Sequence, residues 1–193
     1  QHATSLARAQ HVTTHPSRGR RLMPRLVENG RVLLACYRTI GEAIRQKHAI
    51  TPAAEWLVDN FHIVEDQIRQ IREDLPPGFY RKLPKLARGF LEGYPRVFGL
   101  AWAFVAHTDS RFEPEALRRF VRAYQRVQPL TIGELWAVPI TLRILLVENL
   151  RRLAERMVRD RAARQEADGL ADRLLGLGGR TPADATTALA HVE

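Results

Sequence analysis

Two short polar stretches hold the residue types that could do chemistry. In the first, His107-Thr108-Asp109-Ser110-Arg111 follows an apolar run that contains Trp102. An imidazole beside a carboxylate makes a general-base pair, with His107 taking the proton and Asp109 orienting the ring. The structural alternative makes Asp109 or Ser110 a loop or helix-cap residue. In the second stretch, Asp59, Asn60, His62 and Glu65 stand near Trp56. With Trp102 and Trp136 they suit a carbohydrate surface, where aromatic faces stack on sugar rings and carboxylates accept from hydroxyls. The alternative is a core that takes in all three tryptophans. The candidate polar or sugar-binding cluster is thus Trp102, His107, Asp109, Trp56 and Asp59.

Other chemistries leave no trace. His62 and Glu65 lie three apart, as metal ligands on one helical face would, but a surface hydrogen bond is the better explanation of the spacing. There is one cysteine, no HExxH and no paired-histidine spacing, so no metal is expected. A GxSxG elbow, a GxGxxG fingerprint and a phosphate-binding Walker loop are all missing. So is the Asp-x-Asp that usually holds a metal on a sugar nucleotide. No cofactor and no catalytic residue are therefore assigned.

The elements that must carry these stretches read as helices, and the fold class as all-α: a multi-helix bundle or array with a flexible basic N-terminal arm and a long kinked C-terminal helix. Residues 1 to about 20 are polar and read as the arm, with a basic set, Arg8, Arg18, Arg20, Arg21 and Arg25, in and just after it. The helical domain is expected over 21–175. Leu33, Tyr37, Ile40 and Ile44 form one helical stripe ending near Lys47-His48. Thr51 is a natural N-cap with Pro52 at the first helical position, and Leu57, Phe61, Val64, Ile68 and Ile71 follow at four-three spacing up to Leu75-Pro76-Pro77. A short helix is expected around 82–92 and a buried one from Pro95. Pro114 opens a helix with Leu117, Phe120, Val121, Tyr124 and Val127 on one face and Arg118, Arg119, Arg122 and Arg126 on the other. Thr131 and Glu134 form a capping box for a helix running to about Leu175, kinked at Pro139. Residues 176–193 read as a linker and the start of a further, truncated segment. No stretch reads as a strand.

With 193 residues, 45% hydrophobic and 26% charged, the chain is long and apolar enough to bury a core. It begins at Gln1 and not Met, which suggests a cut or processed chain, and its first thirty residues contain no signal-peptide-like apolar stretch. The longest apolar run, 135–147, is too short to span a bilayer and contains Arg143. The lone Cys36 excludes an internal disulfide and fits a reducing compartment. A net charge of +9, nearly all from arginine, points to an anionic partner or simply to arginine replacing lysine throughout. Aromatics are only 7%, and no nucleic-acid signature accompanies the charge.

Four blocks carry a resemblance. They are residues 49–65 (AITPAAEWLVDNFHIVE), 74–80 (DLPPGFY), 99–112 (GLAWAFVAHTDSRF) and 127–136 (VQPLTIGELW), the last continuing to the 149–154 stretch NLRRLA. In this order they resemble the N-terminal region of bacterial cyclic β-1,2-glucan synthases, over roughly residues 20–175. Those are very large inner-membrane enzymes that polymerise glucose from UDP-glucose and close the chain into a ring. The resemblance implies a non-catalytic helical module on the cytoplasmic side of the bacterial inner membrane, with downstream domains of the same polypeptide and an anionic membrane surface as partners. The transferase, cyclising and phosphorylase parts lie downstream of the matched region, so none of their residues is transferred here. Two other readings stay open. One is an independent all-helical basic binding protein for nucleic acid or an acidic partner, with nucleic acid the weaker of the two. The other is a small enzyme or sugar-binding unit around Trp102, His107 and Asp109.

Overall fold

A computed structural model of the chain describes residues 1–15, 19–108 and 110–175. Among them are eight helices and one two-stranded sheet, so the all-α reading holds. The chain divides into two compact units, Gln1–Ala154 and Glu155–Glu193.

The first unit does not open with an arm. Residues His2–Ala9 form helix α1, which packs on α7 (Pro114–Gln125) and α6 (Arg96–His107). Ala3 and Ala7, one turn apart and fully covered, let the helices approach closely. Strand β1 (Val12–Thr13) then pairs antiparallel with β2 (Lys85–Leu86). Gln10 locks the junction. Its side-chain oxygen accepts from the Tyr124 hydroxyl at 2.6 Å, and its carbonyl accepts from Gln128 Nε2 at 2.8 Å. Gly99 makes room for it, since a Cβ there would stand 2.7 Å from Gln10 Nε2 and 2.9 Å from Leu86 Cδ1. The expected flexible arm is corrected accordingly. Its polar composition hides two alanines and a glutamine that are buried by partners about a hundred residues away.

Helix α2 spans Leu22–Arg45. Pro24 falls in the first turn, where its missing N–H forfeits no helical bond. Its buried stripe is Leu22, Leu26, Asn29, Leu33, Cys36, Ile40 and Ala43. The stripe expected from sequence is therefore rotated: Cys36 and Ala43 are inside, Tyr37 stacks on Phe61 at 4.3 Å, and Ile44 is exposed. Lys47 ends the helix at φ 57°, in the left-handed region usually left to glycine. Its N–H bonds to the Ile44 carbonyl and that of His48 to the Ala43 carbonyl.

The next helix splits in two, α3 (Pro52–Asp59) and α4 (Phe61–Asp74). Thr51 caps α3 as expected, accepting from the Ala54 N–H at 3.3 Å. Asn60 causes the break, because its amide donates to the Trp56 carbonyl at 2.8 Å and competes with the backbone. The stripe from Leu57 to Ile71 survives the break and is buried throughout. Helix α5 spans Pro77–Lys82. The short helix expected over 82–92 is absent; β2 and turns through Gly89 and Gly93, both at positive φ, take its place.

Helix α8, Ile132–Leu174, runs through Pro139. The capping box forms: Thr131 N–H donates to Glu134 Oε2 at 2.9 Å, and Glu134 N–H donates to Thr131 Oγ1 at 3.2 Å. From Ala137 to Glu148 most of its side chains are buried. Two buried ion pairs tie this stretch to the helices around it. Arg96 of α6 forks onto Glu134 at 2.8 and 2.6 Å, and Arg25 of α2 forks onto Glu148 at 2.5 Å on both oxygens.

In the second unit the described side chains are exposed or half-buried, with an Arg156–Asp160 ion pair at 3.6 Å. The expected linker and truncated helix over 176–193 lie outside the described residues. No described helix is long and apolar enough to cross a membrane.

Candidate functional site

A cavity of about 250 Å³ lies where one face of α6 meets one face of α8. Trp102, Val105 and Ala106 recur at the three-four spacing that puts them side by side on α6. Leu145, Glu148, Asn149 and Arg152 do the same on α8. Ser110 closes one end. It sits at φ 64°, a region that non-glycine residues seldom adopt. Its hydroxyl accepts a short hydrogen bond from Asn149 Nδ2, and its N–H donates to the Val105 carbonyl at 3.0 Å. Trp102 forms the aromatic wall, and the exposed Phe90 ring meets it edge-on at 4.8 Å.

Glu148 is the charged centre. Its side chain is 3% exposed, Arg25 clasps both oxygens, and Arg152 adds a contact at 2.7 Å. Arg25 is held in turn by the Tyr94 hydroxyl at 3.1 Å and by the faces of Tyr94 and Phe98, about 5.6 and 5.7 Å away. Burial pushes the Glu148 carboxyl up, but the hydrogen bonds and charges of Arg25 and Arg152 outweigh it and leave the pKa below the usual carboxylate range. Glu148 is therefore an anion at neutral pH. It can accept hydrogen bonds but has no proton to give as a general acid. Among the described residues it is also the only carboxylate in the lining, whereas glycosidic cleavage usually uses a facing pair. An aromatic wall with a carboxylate, an amide, a hydroxyl and a guanidinium around it suits recognition of a polyhydroxylated ring.

Of the residues singled out in the sequence, Trp102 and Ser110 line this cavity. His107 lies off it, with its ring stacked on His2 of α1 at 4.9 Å. Asp109 lies outside the described residues. Trp56 and Asp59 share an exposed face of α3, and Trp56 is 55% exposed. His62 and Glu65 are exposed on α4. Trp136, 74% exposed near the start of α8, likewise stays out of the core, so a core containing all three tryptophans is ruled out. The residues that sequence reading missed are Arg25, Glu148, Asn149 and Arg152. One signal was present: Glu148-Asn149 directly follows the longest apolar run of the chain, where a charge survives burial only with a partner. The partner, 123 residues away on α2, was not readable.

The arginine-rich helices are not uniformly cationic. Arg31 pairs with Glu28, Arg69 with Asp66 and Arg118 with Glu115, each one turn apart at 2.7 to 2.8 Å. Among the described residues, no group of three His, Cys, Asp or Glu side chains gathers as metal ligands would.

No family model matches the chain, and no solved structure matches it. It is 45% identical over 152 residues to cyclic beta-(1,2)-glucan synthase NdvB of Rhizobium meliloti (strain 1021), across 78% of the chain. The match covers 5% of that protein, so the chain is homologous to a small segment of a far longer synthase.

Proposed function

Taking that homology as the premise, we propose that the chain acts as a non-catalytic helical module of a membrane-bound cyclic β-1,2-glucan synthase. It lies on the cytoplasmic side of the bacterial inner membrane and supports assembly or regulation of the transferase. Its partners are other domains of the same polypeptide. The observation that carries this reading is the 45% identity over 78% of the chain, which takes in both stretches that build the α6–α8 cavity.

Within that role the Trp102 cavity is where the module meets glucose units of the product. Its size, below the roughly 300–1,000 Å³ of drug-sized sites, suits one sugar ring and not an extended chain. The ionised, doubly paired Glu148 fits binding and not bond cleavage.

The test has two parts. An antibody against residues 50–150 is used on membrane and soluble fractions of the source cells. A membrane band several times larger than 22 kDa is expected; a soluble band near 22 kDa would sink the module reading. Calorimetry of the chain with short linear β-1,2-glucans should show weak binding that Trp102→Ala abolishes at unchanged melting temperature. Equal heats from the variant would remove the cavity from the proposal.

A further inference from the structure

A second and larger cavity, of about 700 Å³, opens between the start of α2 and the α4–α5 connection. Its walls are apolar: Leu22, Met23 and Val27 on one side, Leu75, Pro77 and the Tyr80 ring on the other. Four cationic residues, Arg20, Arg21, Arg81 and Lys85, also line it, and no carboxylate does among the described residues. That is unusual for this chain, whose other helix-surface arginines often have an acid one turn away. The volume falls within the range of sites that enclose small ligands.

Lys85 is the informative member. It is 5% exposed, and its ammonium donates to the Tyr80 carbonyl at 2.6 Å and the Leu83 carbonyl at 2.7 Å. The Tyr80 ring lies under it at 4.4 Å. An ammonium has three N–H donors, and the described residues engage two. Burial pulls its pKa down to about 8, with Glu134 pulling the other way, so at neutral pH it is a largely protonated but poorly solvated cation. A buried cation with a donor to spare, at an apolar cavity rimmed by three exposed arginines, is matched by a ligand with a hydrocarbon body and an anionic head.

We propose that this cavity holds an acyl chain of an anionic phospholipid, with the headgroup phosphate held by Arg20, Arg21 and Arg81 and within the field of Lys85. The site docks the first unit on an anionic membrane surface through one inserted chain. It is separate from the Trp102 cavity and does not depend on what that cavity binds. The arginines supply the attraction to an anionic surface, and the chain in the cavity holds the headgroup against them.

The test is flotation of the full chain with vesicles of phosphatidylglycerol or of phosphatidylcholine. Binding to the first and not the second is expected. Val27 is 45% exposed at the cavity, so Val27→Trp fills the space without altering charge or core. It should weaken binding at least tenfold at an unchanged melting temperature. The double variant Arg21→Glu/Arg81→Glu, at two exposed positions, should weaken it as much and serves if Val27→Trp fails to fold. Dodecyl phosphate below its micelle concentration should raise the melting temperature, and dodecyl maltoside should not. Unchanged binding by folded Val27→Trp would reduce the interaction to surface charge and overturn the proposal. So would equal flotation with both lipids. Stabilisation by dodecyl phosphate without any vesicle binding would also overturn it, since the occupant would then be a soluble amphiphile.

Discussion

Glu134 and Glu148 sit fourteen residues apart on α8, both buried and both clasped by a forked arginine from another helix, yet they are built for different ends. Glu134 is sealed. Its oxygens accept from Arg96, from the Thr131 N–H and from the Thr131 hydroxyl, and its side chain is 0% exposed. The Arg96 fork is completed by Gln128 Oε1 and the Pro129 carbonyl. Glu148 has the same bidentate clasp but borders a cavity, and its second arginine, Arg152, is 54% exposed. A charge satisfied entirely from within fixes the register between helices. A charge whose shell includes a solvent-facing arm can exchange part of that shell for a ligand.

The sharpest way to break the contrast is to remove each arginine. Arg96→Met leaves Glu134 buried and unpaired, which typically costs about 3–5 kcal/mol. For a chain of this size that is a fall of roughly 6–20 °C in melting temperature. The double variant Arg96→Met/Glu134→Leu should regain most of the loss. If it does not, the pair contributes more than it costs to bury. Arg25→Met should be milder, about 1–3 kcal/mol, because Arg152 and water remain available to Glu148.

Acid and base titrations probe Glu148 and the buried Lys85 in separate pH ranges. Glu148 has a folded pKa below its unfolded value, so it contributes stability above about pH 4.5 that is lost as pH falls through the folded pKa. Glu148→Gln should flatten the acid limb of the stability curve. Lys85 gives a slope of the same sign at higher pH, but there the rise relieves the penalty of burying a cation. Its folded pKa of about 8 lies below the unfolded 10.5, so between these values the folded state holds fewer protons and stability rises with pH. The gain should be at most about 3 kcal/mol. It should vanish in Lys85→Met, measured by urea unfolding at pH 7 and pH 10.

How much of this was legible in the sequence depends on how local the cause is. The Thr131–Glu134 capping box and the stripe from Leu57 to Ile71 are written in spacings of three and four, and both form as read. Asn60 shows the limit of periodicity, since the stripe continues across a helix break that one side-chain amide creates. Helix α1 was missed because its covered face is two alanines, which carry little hydrophobic signal, and because what covers them lies on α6 and α7. For the site, Trp102 was legible as an aromatic beside polar residues. Its partners were not, because Glu148, Asn149 and Arg152 read as the polar end of a helix until α6 is laid against it. His107 had the right type for chemistry, but five residues beyond Trp102 on a helix it faces a different neighbour, His2.

The smallest expected effect draws the finest distinction. Arg152 is an exposed, one-turn partner of Glu148, a kind of pair worth about 0.3–0.5 kcal/mol. Arg152→Gln should therefore barely move the melting temperature, because Arg25 keeps Glu148 paired on both oxygens. If the cavity recognises a sugar ring, the same change should still weaken glucan binding severalfold, because it removes the guanidinium on the open side of the site. Losing stability without losing binding would make Arg152 part of the scaffold. Glu148 would then be a second sealed anchor like Glu134, and the difference between the two glutamates would be one of depth alone.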